Sequence, residues 1–280
     1  MTERLAEAVR RIESLRQLDA VVGAMRGIAA SRAVQARGLL RGVQAYAAVV
    51  GSAIGEALAI APETTQDAPP TTHPLALILF VAEQGFAGAF SERMLESAAS
   101  LPPGSALFLI GTRGAALAEE RGLRLTWRAP MVPQAALIPA LADRIAEALY
   151  AWLADRRGAR VELFVPVWSP PGGVAAERRT LVPFDYRRFP VTPGRPPPLV
   201  TLSPARLLAH LAAEYVFAEL CEAALTAFAA ENEARVACML AAGTNLDGMR
   251  AELDQLARQL RQEEITAEVV ELAGGAAGAR

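Results

Sequence analysis

The chain has 280 residues, 52% of them hydrophobic, enough apolar material for one large domain or two modest ones. Its net charge is −2, and every basic residue is arginine, with 28 of them against 30 acids and no lysine. That balance gives no reason to expect a nucleic-acid partner, and no run of about 18 uncharged apolar residues offers a membrane span.

Residues 1 to 11 alternate acids and arginines around short apolar positions, so no signal peptide is expected. From 3 to 60 there is no proline, and Leu5, Ala8, Ile12, Leu15, Val22 and Met25 recur at spacings of three, four and seven. Val43, Tyr46, Val50, Ile54 and Leu58 continue the helical period. At about 1.5 Å per residue such a helix would run roughly 87 Å, too long for a compact domain. A bundle folded back on itself is the alternative, and it needs breaks at Gly23, Gly27, Gly38, Gly42 or Gly51.

Pro62, Pro69, Pro70 and Pro74 close this first segment. The apolar run 75–81 then reads as a buried strand ended by Gly85. A helix over 91–100, a strand over 106–110, a helix over 113–121 and a helix over 138–156 follow. A strand over 161–167 comes next, with 178–184 pairing to its far end. Strands alternating with helices predict an α/β layered, Rossmann-like insert.

Pro190, Pro193, Pro196, Pro197 and Pro198 precede the third segment, which opens on Ser203-Pro204, a cap followed by proline at the first helical position. No proline follows. Leu246, Met249, Leu253, Leu256 and Leu260 alternate steps of four and three as an a/d heptad seam. The domains are therefore expected at 1–61 (long helix), 74–200 (insert) and 203–273 (long helix), with a flexible tail over 274–280. The two long helices are expected to cover their stripes against each other. Their charge bias is opposite: eight arginines against five acids over 1–60, three against seven over 245–272. Surface pairs contribute only a few tenths of a kcal/mol each, so the apolar seam must dominate.

Candidates for chemistry are few. The strand-loop-helix over 81–93, with Gly85 and Gly88, invites a phosphate-cradle reading, but its spacing is neither GxGxxG nor GxxxxGK[ST]. No lysine exists to sit on a phosphate, Ile110-Gly111-Thr112-Arg113-Gly114 is a second such turn, and a tight turn is the favoured reading of both. His73 and His210 are the only histidines, too few for a zinc site or a Ser-His-Asp arrangement. Adjacent Glu263 and Glu264 diverge on a helix and do not face one another. Cys221 and Cys238, 17 residues apart, would lie roughly 25 Å from each other on one helix, beyond disulfide reach. No catalytic residue, cofactor or metal ligand is assigned.

Specific residues add to this pattern. Arg11-Ile12-Glu13-Ser14 followed by Ala24-Met25-Arg26-Gly27-Ile28-Ala29-Ala30-Ser31-Arg32 resembles the opening helix of F-type ATP synthase γ subunits, with its RI.S element and AM(K/R)..AAS(K/R). Residues 214–220, Glu231, Ala234-Arg235, Met239, Thr244-Asn245 and 261–268 are similar to that family's closing helix. The resemblance spans nearly the whole chain. It implies an antiparallel left-handed coiled coil of the two terminal α-helices plus the α/β insert. It also implies partners: the α and β subunits of a catalytic head, an ε subunit and a membrane ring of c subunits. The implied role is a non-catalytic rotor shaft on the cytoplasmic face of a bacterial inner membrane. Met25, Arg26 and Arg235 match positions near the β subunits' lever loops. Arg261 and Gln262 match a polar pair that meets a β loop, and Thr266 and Glu268 belong to the same closing motif. The family's SDRGLCGGFN stretch is here Ala82-Glu83-Gln84-Gly85-Phe86-Ala87-Gly88-Ala89-Phe90-Ser91; Gly23 replaces a common lysine and Arg258 a usual asparagine. These departures resemble a divergent form such as the alternate bacterial F-type ATPase. Two other classes compete with the shaft: an α/β nucleotide-binding enzyme with helical arms, and a generic coiled-coil scaffold.

Overall fold

A computed structural model describes residues 3–61, 74–98, 102, 104–156, 158–191 and 199–278, with side chains as far as Val270. Pro62, Pro69, Pro70, His73, Pro193 and Pro196 to Pro198 lie outside the described residues, as do 99 and 100 of the helix expected over 91–100. The chain divides into two units: Met1–Ile28 with Val236–Arg280, and Ala29–Arg235. Two helices run through both, α1 (Glu3–Leu58) and α5 (Pro204–Gly278). The backbone of α5 continues helically into the stretch expected as a tail. Because α1 is continuous through Gly23, Gly27, Gly38, Gly42 and Gly51, the folded-back bundle is ruled out.

The second unit is built on a five-stranded sheet. Its strands are β1 (Leu75–Phe80), β2 (Ala106–Ile110), β3 (Trp127–Ala129), β4 (Arg160–Ser169) and β5 (Gly173–Val182), in the order β3-β2-β1-β4-β5. All neighbours are parallel except β4 and β5. The helices between them are α2 (Phe90–Ala98), α3 (Thr112–Glu120) and α4 (Ile138–Leu153). Successive strand residues face opposite sides, so every strand except the short β3 feeds two cores. Ile78, Phe80, Phe108, Ile110, Leu163 and Val165 pack against α4, through Ile138, Leu141, Ile145 and Leu149, and against α5, through Leu220, Ala224 and Phe228. Leu77, Leu79, Leu107, Leu109 and Phe164 pack against Met94 and Leu95 of α2 and Ala115 and Ala118 of α3. Burial on both faces is why β1 and β2 are continuous apolar runs.

Two parts of the sheet differ from expectation. The strand expected over 178–184 starts at Gly173 and ends at Val182, and Arg178 to Val182 register against the first residues of β4, with Phe164 opposite Arg178 and Val161 opposite Val182. The hairpin closes tightly at 170–172, and 173–177 is Gly-Val-Ala-Ala-Glu, in which Val174 is the lone strand former among residues that strands disfavour. β3, only three residues long, has no alternation to reveal it.

Within this unit α1 and α5 run in opposite directions. Arg37 forms an ion pair with Glu233, the Tyr46 hydroxyl donates to Glu214 at 2.6 Å, and Val50, Ile54 and Ala57 pack with Leu208. The buried face of α1 here uses Ala29, Ala33, Ala36, Val50, Ile54 and Ala57, while Tyr46 is exposed on its flank. Phe189 and Pro190 lie over α1, where Gly55 is required because a Cβ there would stand 2.6 Å from the Pro190 carbonyl oxygen.

In the first unit Leu5, Ala8 and Ile12 pack with Leu253, Ala257 and Leu260. The seam expected through Leu246, Met249, Leu253, Leu256 and Leu260 is corrected in phase. Met249 and Leu256 are 52% and 40% exposed, whereas Ala257 and Leu260 are buried and Leu246, Arg250, Leu253 and Glu264 half-buried. The covered face thus steps through 246, 250, 253, 257, 260 and 264. It keeps the seven-residue leucine repeat but replaces the intermediate positions.

Candidate functional site

After Phe80 the chain leaves β1 through the turn 81–89 and enters α2. The Glu83 carboxylate folds back into the sheet edge, accepting from Thr112 N at 2.8 Å, Thr112 Oγ1 at 2.9 Å and Met131 N at 2.8 Å. Ser91 Oγ accepts from Ala82 N at 3.1 Å, and the Ala82 carbonyl accepts from Gly114 N at 2.9 Å. Gly111 permits this crossing: its φ is 124°, and a Cβ would lie 2.2 Å from the Val81 oxygen. The turn is therefore anchored to the starts of both flanking helices.

Its other side is held by α5. Glu231 and Arg235, four residues apart, lie on one helix face and form an ion pair at 2.5 Å. Glu231 also accepts from Glu83 N at 3.1 Å and Gln84 N at 3.2 Å. Arg235 donates from Nε to the Gly85 carbonyl at 3.2 Å and from a terminal nitrogen to Asn232 Oδ1 at 3.1 Å. Asn232 in turn donates to the Phe228 carbonyl at 2.7 Å. Glu231, Asn232 and Arg235 are 4%, 3% and 5% exposed. A buried pair of this kind is tolerated because its remaining donors and acceptors are satisfied.

The same bonds decide the phosphate-cradle reading. The N–H groups of Glu83 and Gln84, which an anion at this strand end would use, already point at the Glu231 carboxylate. An internal anion occupies the position. Gly88 has φ 58°, but the second left-handed residue is Phe86, with φ 62°, rather than Gly85. A non-glycine residue held there costs on the order of 1 kcal/mol. Phe86 is also 64% exposed. Beside it a cavity of about 270 Å³ is lined by Gln84, Phe86, Ser91, Glu92, Arg113 and Glu120, a mixed set of charges.

The residues expected to meet partners fall into two groups. Met25 is half-buried and Arg26 exposed on α1, and Arg261, Gln262, Thr266 and Glu268 are exposed on α5. Thr266 Oγ1 donates to the Gln262 carbonyl at 2.8 Å. Arg235 differs from these six, because its guanidinium is enclosed in its own chain. Nothing in the sequence marks Glu83 as a tie, and Glu231 stands out there only as part of a motif. The four-residue spacing of Glu231 and Arg235 is a legible signal for an ion pair, but not for its burial. His210 is exposed on α5. Cys221 is buried, and burial pushes its thiol up to about 12, while Cys238 is half-buried. Glu233 is raised by burial, with Arg37 opposing the shift. Among the described residues no helix is long and apolar enough to cross a membrane.

The sequence model of the ATP synthase family matches residues 4–278. The chain is 27% identical to the ATP synthase gamma chain of Frankia casuarinae, over 99% of this chain and 98% of that protein. It is 28% identical to the ATP synthase gamma chain of Beutenbergia cavernae, over 95% of each. Its fold is similar to a chain of the Euglena gracilis mitochondrial ATP synthase rotor, with TM-score 0.64 and 13% identity over 94% of this chain and 99% of that one. A chain of the Euglena OSCP/F1/c-ring assembly gives TM-score 0.67 and 12% identity, covering 97% and 93%.

Proposed function

The chain belongs to the family of ATP synthase γ chains, and from that premise we infer that it is the central-stalk rotor subunit of an F-type ATP synthase. It is a non-catalytic part that couples rotation of a membrane ring to ATP synthesis or hydrolysis on other subunits. The observation that carries this reading is the family match over 4–278, which takes in both long helices and the insert between them.

In this role the terminal helices, 1–61 and 203–273, form an antiparallel left-handed coiled coil. The alternating three- and four-residue steps of their covered faces, 5, 8, 12 on α1 and 253, 257, 260 on α5, suit that geometry. The insert, 74–200, sits against the ε subunit and the c ring, while the coiled coil enters the head of α and β subunits. The chain is a peripheral part of the complex, on the cytoplasmic face of a bacterial inner membrane. An asymmetric shaft presents each β subunit with a different surface, so turning it changes the relative stability of that subunit's open and closed states. Arg26, Arg261, Gln262, Thr266 and Glu268 are exposed and can make such contacts directly, and Met25 offers a half-buried apolar edge. Arg235 acts through the turn it holds.

Co-expression with the α and β subunits encoded in the same genome tests the reading. A stoichiometric complex carrying a single copy of this chain, with ATPase turnover that falls when Arg261 and Gln262 are changed to alanine, is the expected result. A folded chain that joins no complex contradicts it.

A further inference from the structure

A rotor has to pass torque between its insert and its shaft, and the second unit contains both the insert and the stretch of α5 packed on it. The apolar contacts of Leu220, Ala224 and Phe228 with the sheet resist separation of α5, but apolar burial is non-directional and fixes a helix's rotation about its own axis less sharply than directed bonds do. Hydrogen bonds are directional and resist slip. The ties from β5 and its neighbouring loop to α5 are weak in this respect. Arg179 meets Glu222 at 3.2 Å and Glu219 at 3.7 Å, and Arg188 meets Glu219 at 2.9 Å, but the arginines are 27% and 47% exposed. Solvent screens such pairs.

The turn after β1 is different. We propose that Glu231, Asn232 and Arg235 form a torsional latch that locks α5 to the α/β insert through the backbone of three successive residues, at Glu83 N, Gln84 N and the Gly85 carbonyl. This rests on the rotor reading above. The latch grips with both polarities: a carboxylate takes two N–H groups and a guanidinium takes the neighbouring carbonyl, so turning α5 in either direction breaks bonds. Asn232, between them, steers the guanidinium and is itself held by the Phe228 carbonyl. The gripped turn cannot simply follow the helix, because Glu83 ties it to Thr112 and Met131, and Ala82 ties it to Ser91 and Gly114. Burial strengthens the lock, since slipping would strand a charge away from water. Arg235 is the last residue of the unit, so the latch grips α5 where it leaves the insert's own core.

Two measurements test this, with Glu231→Gln as the first variant and Arg235→Lys as the second. Arg235→Lys keeps the charge but cannot reproduce the guanidinium's three directed bonds. In the full-length chain, hydrogen exchange at the Glu83 and Gln84 amides is expected to speed up about tenfold or more in Glu231→Gln, while the Leu79 and Leu109 amides in the strands keep their protection. In the complex with α, β, ε and c-ring partners in sealed vesicles, ATP-driven ion pumping per ATP hydrolysed is expected to drop in both variants. Unchanged exchange at Glu83 and Gln84 overturns the latch. Faster exchange with an unchanged pumping ratio in both variants overturns its torque role. If Glu231→Gln does not fold, Arg235→Lys decides both points. If the wild-type chain forms no complex, the rotor reading and the torque role fall together, while the exchange data still show whether the tie itself exists.

Discussion

One helix, α5, lives in two environments, and the contrast shows what carries load in this molecule. In the second unit its stretch from Val216 to Arg235 is almost wholly buried, and much of that surface is alanine: Ala218, Ala223, Ala224, Ala227, Ala229, Ala230 and Ala234. Small side chains let the helix approach the sheet closely and leave room for a sealed polar cluster. In the first unit, from Leu240 to Val270, only Ala257 and Leu260 are buried, while Leu240, Met249, Leu256, Ile265, Val269 and Val270 stay exposed. A helix that is apolar on several sides but covered on one narrow face has surface left for partners. The stretch of α5 in the second unit is thus part of a core, and the stretch in the first unit is largely a surface.

Truncations along α5 give the largest expected difference between the two stretches. Leu220 is fully buried, so Leu220→Ala should destabilise the chain by about 2 to 5 kcal/mol, as large-to-small core changes do. Met249→Ala or Leu256→Ala should stay within roughly 0.5 kcal/mol in the isolated chain. Denaturant unfolding of the three variants checks this, and equal losses would break the comparison. If the exposed residues do meet a catalytic head, the same two changes should instead weaken assembly.

The cysteines make a smaller, chemical version of the contrast. Cys221 lies in the buried stretch with its thiol raised from 9.0 to about 12, and Cys238 is half-buried in the other unit. At pH 8 an alkylating reagent should modify Cys238 at least about tenfold faster than Cys221, because the thiolate is the reacting species. Peptide mapping of the labelled native chain reads the ratio. Comparable rates would mean that α5 opens away from the sheet.

The smallest effect belongs to the link between α1 and α5 at Tyr46. Its hydrogen bond to Glu214, with burial and the nearby carboxylate adding to it, raises the phenol from 10.0 to about 12. A raised folded-state value favours the protonated form, so this contribution is complete below about pH 10 and is lost as pH climbs from 10 to 12. Tyr46→Phe should therefore lower stability slightly at pH 9 and have no effect near pH 12. Tyr46 is 41% exposed, which keeps the change small. A difference that grows with pH would contradict the assigned bond.

Much of the architecture is legible in the residues, for reasons that also explain what is not. β1 and β2 are apolar runs because both faces are covered, and α1 shows an unbroken helical period without proline. β5 starts where Val174 is the lone strand former among glycine, alanines and a glutamate, too little to make a pattern. On α5 the leucines at 246, 253 and 260 fit two heptad phases equally well. Choosing 250 and 257 over Met249 and Leu256 depends on where α1 lies, which the leucines do not record. The latch was half legible. Glu231 and Arg235 stand at ion-pair spacing, yet their burial depends on a turn 147 and 148 residues earlier in the chain. The exposed positions expected to meet partners follow from resemblance to the γ-chain family, since one helix surface looks chemically much like another.

The rotor assignment is tested most directly by watching this chain turn. With Cys238 replaced by alanine and the exposed Arg124 changed to cysteine and biotinylated, a bead on the insert reports its motion in a surface-fixed complex with α and β subunits. The account predicts steady one-way rotation whenever ATP is hydrolysed. A complex that hydrolyses ATP while the bead stays still would contradict it.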